Sequence, residues 1–277
     1  MKLSYLLSAL LLASVAAHSK DPELSFGVLN QRSPTLTAQH WNPILQYVSN
    51  RSGVPLRLKM GKTAQETSAM TRRGEFDFLY SNHIFTVENR VAGYSVFARP
   101  DEKSVQGQLV VLDDSPIRSM ADLEGMEVVF ANPNAFLGYF VPMDAILKAK
   151  IKVKPLLSVN QEAAMGQLKA GRAAAAGVNS DVMRDFARRE NFRYRVIWTS
   201  PDYLGLPLAA HPKMSKDKVR AVRDAFVGMG SDPEGIRILA ASSAVIRQKP
   251  APGFLPATNK DYENIVEFYR TSLVTGQ

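Results

Sequence analysis

Gly74-Glu75-Phe76-Asp77-Phe78-Leu79-Tyr80 reads as a helix-ending glycine followed by a short, aromatic-rich strand. It is the third strand in a regular series. Leu24-Ser25-Phe26-Gly27-Val28-Leu29 is the first, and Pro55 to Met60, with Leu56 and Leu58 on one face, is the second. Between the first two, Thr37 to Ser49 carries Trp41, Ile44, Leu45 and Val48 at helical spacing and stops at Gly53. Between the second and third, Thr63 to Arg72 is a helix that stops at Gly74. Strand–helix–strand–helix–strand order predicts an α/β unit on a largely parallel sheet.

A second unit of the same kind follows Val110-Val111-Leu112. A short helix over Ser119 to Leu123 leads into the strand Glu127-Val128-Val129-Phe130-Ala131, then a helix over Phe136 to Lys148. Strand and helix patterns continue at Val153 to Ser158, Gln161 to Ala170, Ala174 to Val178, Asp181 to Arg189, Tyr194 to Trp198 and Leu206 to Ala210. The tail returns to helices at Lys216 to Met229, Pro233 to Ala240 and Asp261 to Thr271. Two lobes account for this order. Residues 18–112 and 209–277 form the first, and residues 113–208 form the second. Two crossings make a hinge. The cleft between the lobes then faces the carboxyl ends of the strands and the starts of the helices, where α/β folds hold ligands.

The N-terminus has a positive Lys2, an apolar run from Leu3 to Ala13, and small residues Ser14-Val15-Ala16-Ala17. That is the layout of a secretory signal, so residues 1–17 are expected to be removed and the exported chain to begin at His18. With no cysteine in the chain, disulfides, thiolate catalysis and cysteine-based zinc sites are excluded. The net charge of +8 is spread over scattered Lys and Arg, densest at Lys148, Lys150, Lys152 and Lys154 near a helix end. No nucleic-acid-binding signature accompanies it.

The ordered set of motifs resembles a known family. It comprises Trp41-Asn42-Pro43-Ile44-Leu45, Gly53-Val54-Pro55, Gly74-Glu75-Phe76-Asp77, Asp114-Ser115-Pro116-Ile117, Asp122-Leu123-Glu124-Gly125, and Val128 through Pro133, with Gly138 and Pro142 beyond. This pattern resembles the periplasmic phosphate/phosphite/phosphonate-binding proteins of ABC importers, over nearly the whole mature chain. The resemblance implies an α/β, two-lobed type II periplasmic binding protein fold, a small-molecule ligand and a membrane permease as partner. It also implies a location in the periplasm. Three positions depart from the family. The turn that usually carries Ser or Thr is Asn134-Ala135-Phe136-Leu137, the usual His is Gln161, and Gly171-Arg172-Ala173-Ala174-Ala175 lacks the usual acid.

Candidate ligand residues are those that follow strands. Arg32, in the first loop, suits a bidentate pair with an oxyanion or is an exposed loop arginine. Tyr80, Ser81, Asn82 and His83 close the third strand. Ser81 or Asn82 either caps the next turn or meets ligand, and His83 stands without a second metal-type residue at ligating spacing. Asn132, Asn134, Ala135 and Phe136 span a strand-to-helix turn, where Asn134 can cap the helix and free N–H groups can take an anion. Gln161 and Asn179 complete the set, Asn179 again as cap or contact. Phe136, with Tyr139 and Tyr203, serves as an apolar wall or as core.

No hydrolase, zincin, P-loop or dinucleotide motif is present, so binding without turnover is expected, with no metal and no cofactor. Two function classes stand: a monomeric importer binding protein, or a sensing module for a membrane signalling protein. Ligand-driven closure serves either.

Overall fold

The computed structural model describes residues 22–30, 32–247 and 253–274. The expected signal, residues 1–17, lies outside them, as does His18. The first half is built on β1 (Leu24–Val28), α1 (Pro34–Ser52), β2 (Leu56–Lys59), α2 (Ala64–Arg72), β3 (Phe78–Tyr80) and β4 (Ser95–Pro100). Ser33 caps α1 by accepting from the Leu36 N–H, Pro34 supplies the preset first helical position, and Gly53 ends the helix at φ 69°. The expected stripe Trp41, Ile44, Leu45 and Val48 is buried against the sheet.

The second half holds β5 (Gly107–Leu112), β6 (Glu127–Phe130), α3 (Val141–Lys148), β7 (Lys154–Leu157), α4 (Gln161–Lys169), β8 (Ala175–Asn179), α5 (Ser180–Arg189) and β9 (Tyr194–Thr199). A π-helical turn, Phe136–Phe140, precedes α3, where a continuous α-helix from Phe136 was expected. The chain then returns through β10 (Leu208–Ala210), α6 (Lys216–Gly228), α7 (Pro233–Val245), β11 (Phe254–Pro256) and α8 (Glu263–Thr271).

The strands form two sheets, in the orders β11-β4-β10-β3-β1-β2 and β7-β6-β8-β5-β9. Both are mixed, which corrects the expectation of largely parallel sheets. β1, β2 and β3 run parallel, as do β6, β7 and β8, but β10 pairs antiparallel with β3 and β4, and β5 antiparallel with β8 and β9. The reason is the hinge. A strand entered from the other half starts at the cleft edge and runs away from it, against strands that end there.

A second correction concerns β5. The sequence reading counted it with the first lobe, yet it pairs within the second sheet. The crossings are therefore 101–106 and 200–207, and they bridge each other through Val105 and Tyr203, whose N–H groups each donate to the other's carbonyl at 2.8 and 2.9 Å.

Each half has its own core. Phe26, Trp41, Phe78 and Phe226 pack in the first, Val129, Met165 and Ala176 on one face of the second sheet, and Val128, Phe130 and Ile146 on the other. A further cluster is shared: Phe76, Leu79 and Ile84 of the first half join Phe136 and Val141 of the second. No helix among the described residues is long and apolar enough to cross a membrane.

Candidate functional site

The cleft is edged by strand ends from both sheets, and helices start directly beyond them. Ser33 and Thr63 cap α1 and α2 on one side; Asn160 and Asn179 cap α4 and α5 on the other. Each helix start carries unsatisfied N–H groups and partial positive charge, so the arrangement favours an anion.

On the first half, Asn30 ties the end of β1 to the start of α2, donating to the Gly61 carbonyl at 2.9 Å and accepting from Thr67 Oγ1 at 2.5 Å. Arg32 follows on this braced loop. It is half-buried and lines a small recess with Leu29, Thr37, His40 and Trp41. Among the described residues its guanidinium has no ion-pair or hydrogen-bond partner. Burial lowers its pKa, opposed by the fields of Tyr80, Glu162 and Glu102. Glu162 belongs to the second half, so the field at Arg32 includes a charge from across the cleft. Tyr80 stacks at a tilt on Trp41, ring centroids 4.8 Å apart, and burial raises the pKa of its phenol.

Ser81 takes the capping role, accepting from the His83 N–H at 3.1 Å, while Asn82 is half-buried in the 3-10 turn that follows. His83 is 4% exposed and reaches the other half, its Nε2 lying 3.3 Å from the Asn134 carbonyl oxygen. Burial pushes the imidazole pKa down to about 4, against that hydrogen bond. The ring is therefore neutral near pH 7, donating through Nε2, and its buried Nδ1 has no partner among the described residues.

On the second half, Asn132 Oδ1 accepts the Asn134 N–H at 3.0 Å and shapes the turn. Asn134 does not cap the helix. The capping position falls to Ala135, half-buried and without a side chain to accept, because the π-turn closes from the Phe140 N–H to the Ala135 carbonyl. The Asn134 Nδ2 is buried without a partner among the described residues. Phe136, offered as either wall or core, is core. It is 6% exposed and meets Tyr203 and Phe268 edge-on, at 4.9 and 5.2 Å. Gln161 Oε1 accepts the Asn179 N–H at 2.7 Å, and Asn179 caps α5 through the Asp181 and Val182 N–H groups. These two brace the cleft wall.

Glu102 was missed. It lies in the first crossing, where burial raises its pKa, the charge of Asp181 raises it further, and Arg32 pulls it back. The polar run Asp101-Glu102-Lys103-Ser104 after Pro100 was the available signal, hidden once the crossing was placed beyond Leu112. No group of three or more His, Cys, Asp or Glu suited to a metal occurs among the described residues.

The family model described as "ABC transporter, phosphonate, periplasmic substrate-binding protein" matches residues 26–262. The phosphonates-binding periplasmic protein of Escherichia coli (strain K12) is 25% identical over 249 residues, covering 83% of this chain and 72% of that protein. A binding protein component of an ABC phosphonate transporter from Pseudomonas aeruginosa shares the fold at TM-score 0.72 and 20% identity, covering 89% of this chain and 85% of that one. A Prochlorococcus marinus protein solved with methylphosphonate superposes at TM-score 0.73 and 16% identity, covering 89% and 97%.

Proposed function

The chain belongs to the periplasmic substrate-binding proteins of ABC phosphonate transporters, and from that premise we propose that its cleft captures a phosphonate-class oxyanion and passes it unchanged to a membrane permease. The observation that carries this reading is Arg32. A half-buried cation with no ion-pair partner among the described residues, set among helix starts, is a costly feature unless an anion completes it. Tyr80 supplies a flat neighbour, and the helix starts capped by Asn160 and Asn179 supply partial positive charge from the second half, where the family has hydroxyls. The same reading assigns residues 1–17 to an export signal, which delivers the chain to the compartment of its family.

A thermal-shift panel tests it. Methylphosphonate, phosphate, sulfate and acetate are added in excess to the purified protein. A ligand that binds only the folded state at a hundred times its Kd adds about 2.7 kcal/mol of stability. Methylphosphonate is expected to raise the Tm more than acetate does, and phosphorus NMR is expected to show it intact after incubation. Equal, negligible shifts from all four anions contradict the reading, as does steady conversion of methylphosphonate.

A further inference from the structure

Helix α8 connects the two halves a third time, without a covalent crossing. It starts on the first half, where Tyr262 stacks on Phe85 at 5.2 Å and Asn259 Oδ1 accepts the Val96 N–H at 2.8 Å. It then runs beside the return crossing, Asn264 donating to the Asp202 carbonyl at 3.0 Å. It ends on the second half. Phe268 meets Phe136 edge-on at 5.2 Å, and Tyr269 meets Phe140 at 5.6 Å. The tail finishes the contact: the Leu273 N–H donates at 2.7 Å to Oδ1 of Asp144, a carboxylate 4% exposed and paired with Lys148.

The same junction carries an opposing feature. Among the described residues the buried Tyr269 hydroxyl has no hydrogen-bond partner, nor do His83 Nδ1 and Asn134 Nδ2, whose residues meet across the cleft. An unpaired buried polar atom is destabilising until water reaches it. Parting the halves hydrates such atoms and exposes the aromatic rings at once, so the two effects oppose each other.

We propose that α8 and the tail 272–274 form a strap that draws the halves together before ligand arrives, and that the unpaired polar atoms of His83, Asn134 and Tyr269 keep this closure partial. Phe136 is then a positioning residue: it couples the strap to the 132–136 turn. The inference does not depend on which ligand the cleft takes.

Small-angle scattering of the ligand-free protein tests it with two variants, Tyr269→Phe and a chain ending at Thr271. Wild type is expected to scatter as a mixture of open and closed forms. Tyr269→Phe, which removes an unpaired hydroxyl and keeps the ring, is expected to shift the mixture toward closed by about fivefold or more. The shortened chain is expected to shift it toward open, with circular dichroism showing that it stays folded. Unchanged scattering from the folded short chain overturns the strap, as does wild type found wholly open. If the short chain fails to fold, Tyr269→Phe decides alone, and scattering identical to wild type overturns the proposal. Titration with methylphosphonate adds a separate arm: no binding by any of the three proteins faults the ligand reading and leaves the scattering result standing.

Discussion

Buried between the two halves, His83 places its Nε2 3.3 Å from the Asn134 carbonyl oxygen. The sequence could not show that it spans to Asn134, because the partner is a backbone carbonyl 51 residues away. Its burial has a consequence for pH. The folded pKa of about 4 lies below the ordinary value of about 6.5. Above about pH 6.5 the ring is neutral in both states and its titration does not change stability. As pH falls toward about 4, the unfolded chain takes a proton that the folded chain refuses, so stability falls with it, by up to about 3 kcal/mol. Urea unfolding at about pH 7 and about pH 4.5 is expected to show His83→Gln losing about 2 kcal/mol less than wild type over that interval. Equal losses in the two proteins contradict the assignment. Asn134 marks the opposite outcome. Its helix-capping role looked sound from sequence, and the π-turn removed it.

Elements were legible where a repeating apolar spacing met a strong stop. The Trp41 to Val48 stripe ended by Gly53, and the strand led in by Gly74, fall where the pattern placed them. Strand direction was not legible, because alternation along a strand says nothing about its neighbour. β4 and β11 were passed over; both end in proline, and β11 is an edge strand of its sheet. One close approach in the second sheet gives a sharp test. A Cβ on Gly177 would lie 2.4 Å from the Phe130 ring and 2.9 Å from Pro142, and the first of these is a fully buried side chain. Gly177→Ala must push β8 away from this packing. It is expected to cost about 1–3 kcal/mol in denaturant unfolding, as overpacked cores do. A midpoint equal to wild type would show that the ring moves freely and that the β6–β8 packing is looser than described.

At the scale of the molecule, composition and order together were enough for two α/β halves and a cleft, and the family is the one the motifs resemble. The hinge was the weak point. Its placement needs the pairing of β5, a contact between residues roughly seventy apart in sequence, and with it went Glu102. On the proposed reading, Arg32, unpaired among the described residues, takes the oxyanion in the cleft. Calorimetric titration of methylphosphonate into wild type and Arg32→Ala tests this most directly. Loss of a charge-assisted hydrogen bond is worth about 1.5–3 kcal/mol, or roughly tenfold to a hundredfold in Kd. That weakening is expected in Arg32→Ala, with the Tm of the ligand-free protein unchanged or raised, since the variant removes a half-buried unpaired cation. Wild-type affinity in the variant, or no heat from either protein, would contradict it.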